Sequence, residues 1–225
     1  MPFPDLGNLR QDYLTAENVA GKTADHLRLI APYNTRELRF EPGLAALVII
    51  DMQRCFLEPS FPLFSANGRA VVPSVAGLVE FFRRRSRPVI FAAQMNKGDQ
   101  IDRGEVLRRW WPATPLEGSR DTELAEGITP LAGEKIIPKR RYSAFHATDL
   151  ELTLRSQNVR QVVVAGVFTN VCVEATVRDA FMRDFFVFVP ADATAAINEE
   201  LQLGSLRTTA LWFAKITTTR HLTSC

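Results

Sequence analysis

Histidine, cysteine, tryptophan and tyrosine are all scarce here, with three of each in a chain of 225 residues. The three cysteines, Cys55, Cys172 and Cys225, are few and odd in number. That fits a reducing, cytoplasmic setting and leaves room for a reactive thiol. His26, His146 and His221 are scattered and show no ligand spacing, so the sequence offers no metal centre. An excess of charge is also missing. The 27 basic and 25 acidic side chains leave a net charge of +2, which argues against nucleic acid or a membrane surface as the main partner. No apolar run approaches the roughly 18 to 20 residues that a membrane helix needs. The opening MPFPDLGNLR lacks the basic head and apolar core of a signal peptide. There is no internal repeat or low-complexity tract.

What the chain does have is a hydrophobic content of 46%, enough for one sizeable core. Residues 1 to about 40 are polar and weakly periodic. They read as an N-terminal arm with one short helix, packed on the domain or on a neighbouring subunit. The remaining 41–225 read as one domain. Its first strand lies near 44–50 in LAALVIIDMQ, a β-branched run bounded by Pro42-Gly43. Further strands are predicted at 88–93, 135–138, 161–166, 185–190 and 214–218. Between them, 71–85 has helical apolar spacing, Thr148 to Glu151 is a capping-box pattern opening a helix to about Gln157, and 171–183 and 199–213 are helical. QVVVAG at 161–166 has no polar face and so is buried on both sides. Strand and helix alternate throughout. That predicts a three-layer α/β/α domain on a six-stranded, mostly parallel sheet. The stretches 54–70 and 94–127 are loops, and long connections of this kind are often functional.

Three strand ends carry reactive side chains. Asp51 closes the first strand, Lys139 follows the third, and Cys172 lies six residues past Gly166, which closes the fourth. Taken singly, each has a structural explanation: a cap, a solvated basic turn, a small buried hydrophobe. Together they fall at the rim where active sites of open α/β sheets lie. A thiol becomes nucleophilic as it ionises, which a cation or a helix N-terminus promotes. A carboxylate in reach can take the thiol proton and return it to a leaving group.

The chain resembles the isochorismatase-like cysteine hydrolases. The likeness rests on Asp51-Met52-Gln53, on KRRYSAF from Lys139 to Phe145, on GVFTNVCVEAT from Gly166 to Thr176, and on Asp192-Ala193, in that order and at family-like spacing. The resemblance implies a Rossmann-like strand order and an Asp51-Lys139-Cys172 triad. It also implies a cis peptide before Phe168, an oxyanion hole made by the Phe168 and Cys172 amides, and a homodimer or homotetramer.

Within that family, the nicotinamidase branch carries an Asp and a His as metal ligands just after the second strand. Gln94 and Asn96 stand at those places and are poor ligands for zinc or iron. No metal and no cofactor are therefore expected. Ala93-Gln94, Arg103-Gly104, Leu107 and Trp111 resemble the substrate stretch of the isochorismatase branch, where Gln and Arg hold a carboxylate-bearing ring. Carried over, Gln94, Arg103, Trp111 and Tyr142 become the substrate contacts. Isochorismatases, however, commonly replace the triad cysteine by a small residue, whereas this chain keeps Cys172. The resemblance thus implies a hydrolase of a small molecule, cleaving a C–N bond of an amide, ureide or carbamoyl compound through a Cys thioester. The alternatives are vinyl-ether cleavage with Asp51 as general acid, and ligand binding without catalysis.

Overall fold

A computed structural model describes residues 7–225 except Gln100 and Pro112, and the side chain of Asn8 is not described. In chain order, helix α1 spans Val19–Ile30 and strand β1 spans Ala45–Ile50. Helices α2 (Arg54–Leu57), α3 (Ala66–Ala70) and α4 (Val72–Arg84) lead to β2 (Val89–Gln94). Helix α5 (Glu105–Trp110), β3 (Lys135–Lys139), α6 (Leu150–Ser156) and β4 (Gln161–Val167) follow. The chain closes with α7 (Glu174–Phe181), β5 (Phe186–Pro190), β6 (Thr194–Ala195), α8 (Glu199–Trp212), β7 (Lys215–Thr217) and α9 (Thr219–Thr223).

The strands form one parallel sheet in the order β3-β2-β1-β4-β5-β7, with the two-residue β6 pairing the end of β4. Every residue of β1, β2 and β4 is buried. Helices cover both faces, so an unbroken apolar run replaces the alternation of a half-exposed strand. The pleat still sorts side chains. Leu47, Ile49, Val163 and Ala165 join the α4 side chains Val75, Leu78 and Phe82 in one core. Ala46, Val48, Val162 and Val164 meet Leu150, Leu154, Val177 and Leu206 of α6, α7 and α8 in the other. The fold is the single α/β domain that the alternation predicts, with β6 as an extra short strand.

The expected loops 54–70 and 94–127 contain the short helices α2, α3 and α5, and two further local expectations change. Thr148 is not the helix cap: α6 begins at Leu150, and the Thr148 hydroxyl accepts the Leu150 N–H at 3.3 Å while donating to Ala144 O. Glu151 turns instead to Arg183, 3.1 Å away. A charged partner in the turn after α7 outcompetes the local box. The N-terminal helix is twelve residues long, and Lys22 and His26 both reach Glu199 at the start of α8, each at 3.0 Å.

Strand order reverses between β1 and β4, which opens a crevice beyond their carboxyl ends. Gly166 makes that close pairing possible. It lies beside Ile50 with φ +116°, and a Cβ there would sit 2.0 Å from the Ile50 carbonyl oxygen. Any side chain would drive the strands apart where the crevice begins.

Candidate active site

The crevice brings together three residues separated by up to 121 positions in sequence. Asp51 follows β1 with φ +52°, a left-handed turn that leaves its carboxylate 1% exposed under the sheet rim. Its Oδ1 accepts the Gln94 backbone N–H at 2.8 Å. Lys139 ends β3, opposite Gln94 in register, and is fully buried. Its ammonium lies 2.8 Å from Asp51 Oδ2 and 3.4 Å from Cys172 Sγ. It also donates to Gln94 Oε1 at 3.2 Å and to Arg141 O at 3.3 Å. A buried ammonium is tolerated only with such a set of acceptors.

Cys172 is placed by the turn after β4. The Val167–Phe168 peptide is cis. Thr169–Val173 then form a wide helical turn in which Val173 N–H reaches back five residues to Phe168 O, at 3.2 Å. Wide turns of this kind recur at functional sites. The buried Thr176 hydroxyl donates to Cys172 O at 2.7 Å and accepts the Ala144 N–H at 3.0 Å. It ties the nucleophile's turn to the segment after β3.

Burial pushes the Cys172 thiol well above the ordinary range. Lys139 pulls it back in part, and Asp51 pushes it up again. For Lys139, burial disfavours the ammonium, but Asp51 and Cys172 more than offset this and its pKa rises. Burial thus favours the protonated form of the Cys172 thiol, while its neighbours favour the charged form of Lys139.

Above Cys172 is a cavity of about 240 Å³. Phe56, Leu63, Phe64, Leu107, Phe168 and Val171 supply much of its lining. Gln94, Trp111 and Tyr142 line it too, and Trp111 Nε1–H donates to the Tyr142 hydroxyl at 2.5 Å. Trp110 points away and is 68% exposed. Arg103 does not line the cavity. It is 2% exposed, and burial, then Arg108, lowers its pKa. Its loop is pinned one residue earlier, where Asp102 pairs with Arg140 and accepts from Asn96 Nδ2 and Lys97 N–H. Burial opposes ionisation of Asp102, yet those bonds hold its carboxyl below the usual range. Arg103, expected among the substrate contacts, is thus buried and is not one of the residues lining the cavity. Cys55 packs in the core under the site.

The cation that does reach the cavity is Arg10, which sequence inspection passed over. Arg10 and Asp12 lie on the arm, whose Tyr13 and Leu14 N–H groups both donate to Asn67 Oδ1 at 2.9 Å. Asn67 Nδ2 donates to Gln11 O at 2.8 Å, and Arg10 Nη2 donates to Pro62 O at 3.0 Å. Nothing in a polar, aperiodic arm marks one arginine as a pocket residue; the contact depends on Asn67, 57 positions away.

Gln94 and Asn96 bond to each other, Gln94 Nε2 donating to Asn96 Oδ1 at 3.3 Å. Among the described residues no group of three His, Cys, Asp or Glu side chains is placed to hold a metal. Among them, too, no helix is long and apolar enough to cross a membrane.

Comparison with known proteins fits this arrangement. A family profile described as Isochorismatase domain matches residues 45–221. Nicotinamidase 3 of Arabidopsis thaliana is 36% identical over 185 residues, covering 81% of this chain and 88% of that protein. A ureidoacrylate amidohydrolase of Caulobacter vibrioides is 30% identical over 213 residues, covering 85% and 90%. The crystal structure of a cysteine hydrolase from Pseudomonas syringae pv. phaseolicola superposes with a TM-score of 0.80 at 30% identity, covering 84% and 94%.

Proposed function

The chain belongs to the isochorismatase domain family and is a hydrolase; from that premise we propose that it cleaves the C–N bond of a small amide or ureide through Asp51, Lys139 and Cys172. The observation that carries this is the position of one buried ammonium, 2.8 Å from the Asp51 carboxylate and 3.4 Å from the Cys172 sulfur at the cavity floor.

Asp51 takes the thiol proton as Cys172 Sγ attacks the carbonyl carbon. Lys139 stays charged and stabilises the sulfur as it becomes anionic. The Phe168 and Cys172 backbone amides hold the oxyanion. Asp51 returns the proton to nitrogen as the C–N bond breaks, leaving a thioester and a free amine. A water molecule then gives a proton to Asp51 and its oxygen to the acyl carbon. The acid leaves and the proton returns to sulfur. Burial makes the resting thiol neutral, so base and nucleophile act as one unit.

The cavity suits a substrate of few heavy atoms with an apolar body. Arg10 at the mouth suits a carboxylate at its far end. The names of two relatives, a nicotinamidase and a ureidoacrylate amidohydrolase, are those of C–N hydrolases. Three unpaired cysteines suit work in the cytoplasm. Vinyl-ether cleavage is the weaker reading, since Arg103, its expected carboxylate clamp, is buried and is not among the residues lining the cavity.

The test is a panel of nicotinamide, ureidoacrylate and short N-carbamoyl acids, assayed for released ammonia or amine with the parent protein and with Cys172→Ser. Turnover with thioester trapping in the parent and loss in the variant is the expected result. Full activity in Cys172→Ser, or cleavage of a vinyl ether alone, overturns the proposal.

A further inference from the structure

The cavity over Cys172 is walled mainly by hydrocarbon, so each polar atom in it has to be accounted for. Most are already committed. Ser65 Oγ accepts the Gly68 N–H at 3.1 Å. Asn67 holds the arm at 2.9 Å. Gln94 spends its Oε1 on Lys139 and its Nε2 on Asn96. The Tyr142 hydroxyl accepts from Trp111. Two uncharged polar atoms differ. Asn170 Oδ1 and Thr114 Oγ1 are buried and have no hydrogen-bond partner among the described residues. Buried polar atoms left unpaired are uncommon, and at a reaction site they call for a partner that arrives with the ligand.

Their placement is not accidental looseness. Asn170 stands two residues before Cys172 in the wide turn, between backbone groups that are held: Phe168 O takes the Val171 and Val173 N–H groups, and Thr169 O takes the Ser205 hydroxyl at 3.2 Å. Thr114 lies beside Pro115, whose carbonyl accepts the Asn96 N–H at 2.9 Å. Both backbones are thus anchored, while the side-chain oxygens are unpaired and covered, so that a turn of each side chain is what presents its oxygen to a ligand in the cavity.

A side-chain amide oxygen can only accept. Its partner must bring an N–H or O–H. At the reacting end, an unsubstituted amide or ureide has such donors, whereas an ester, a vinyl ether or an N,N-dialkyl amide has none. We propose that Asn170 Oδ1 reads an N–H at the scissile end of the substrate, with the Thr114 hydroxyl taking a second polar contact. The site would thereby select unsubstituted amides and ureides over isosteric esters. This rests on the amide-cleaving reading above and names the residues that enforce it. Sites built to pair a substrate N–H reject the analogue lacking it, because their own buried group is then stranded.

The test needs no known substrate. Iodoacetamide and methyl iodoacetate are similar small reagents that both alkylate sulfur: Asp51 takes the thiol proton, the S–C bond forms, the C–I bond breaks and iodide leaves. Only the first carries N–H donors. Rates at Cys172 would be followed by peptide mapping at pH 7.5 and divided by the rates of the same reagents with glutathione, which removes intrinsic reactivity. The expected result is a preference for the amide reagent of about tenfold, the scale of one well-made hydrogen bond. Asn170→Leu should bring it to within about twofold of glutathione, and Thr114→Val should lower it in part. Where Asn170→Leu does not fold, Asn170→Ala carries the same readout. No preference in the parent protein, or a preference that survives loss of the Asn170 oxygen, overturns the inference while leaving the nucleophile in place. No alkylation of Cys172 by either reagent overturns the nucleophile assignment and this inference with it.

Discussion

The floor and the walls of the cavity are built in opposite ways. The floor is strand-made: Asp51 and Lys139 stand at the ends of β1 and β3, and Cys172 follows β4, so sheet register fixes their spacing. The walls are made of the arm, the segment around α2 and α3, and the loop carrying α5. Their side chains are aimed by single long-range contacts: Asn67 for the arm, Asp102 with Arg140 for the α5 loop. The floor is therefore a property of the fold, and the walls are a property of particular side chains. Damage to the floor should appear as lost stability and lost chemistry together, and damage to the walls as altered selectivity on an intact protein.

The sharpest break in that comparison is at the β1–β4 seam. Gly166→Ala places a methyl group 2.0 Å from the Ile50 carbonyl oxygen, and backbone cannot yield as a flexible side chain does. A loss of more than about 4 kcal/mol is expected, the range of exceptional substitutions. It would be read as a lower urea midpoint or as failure to yield soluble protein. A normal midpoint would mean that the strands part easily, and the floor would not be the rigid element argued here.

Lys139→Met comes next. It leaves the Asp51 carboxylate buried without its cation, which costs about 3–5 kcal/mol when one partner of a buried pair is removed. Asp51→Asn with Lys139→Met should recover much of the stability and none of the activity. Recovery of activity in the double variant would refute the triad, because a merely structural pair is replaceable by neutral groups.

For the walls, Arg10→Met should raise KM for carboxylate-bearing substrates by about tenfold, the weight of one exposed charge-assisted contact. It should leave kcat, the melting temperature and the KM of uncharged amides near their parent values. Arg103→Met should leave the ratio of those two KM values unchanged, since Arg103 does not line the cavity. The reverse pattern would restore Arg103 as the carboxylate clamp and demand that the α5 loop rearrange on binding.

The same division decides what could be seen in the sequence. LAALVIIDMQ and QVVVAG carry the buried parallel strands in their composition, and an acid at the end of such a run has few places to be but the rim. Strand β6 is two residues long, too short for any periodicity. Gln94, Trp111 and Tyr142 do line the cavity, as their position near the strand ends suggests. Arg103 is buried in a loop held by the neighbouring Asp102 with Arg140, a partner 38 positions away, and it is not among the residues lining the cavity. Arg10 was invisible for the same reason, since Asn67 and Pro62 decide where it lies. Local pattern records what is buried. It does not record which of two arginines a distant partner brings to the cavity wall.

A dependence on pH separates the two buried thiols that flank Asp51. Burial raises the pKa of Cys55, with Asp51 adding to it, and burial raises that of Cys172 despite Lys139. In the unfolded chain both titrate near 8.5. The folded form then keeps protons that the unfolded form has lost, so stability is whole below about pH 8.5 and falls as pH rises toward the folded values. Each thiol contributes a slope of about 1.4 kcal/mol per pH unit. Tyr13, also raised by burial, enters only above about pH 10, where free tyrosine titrates. Urea midpoints between pH 8.5 and 10 should therefore fall with a slope of about two protons in the parent protein and about one in Cys55→Ala. If Cys172 were instead a thiolate at rest, the parent slope would be one proton and Cys55→Ala would be flat. Asp51 would then have no proton to take, and its part in the first step would have to be given up.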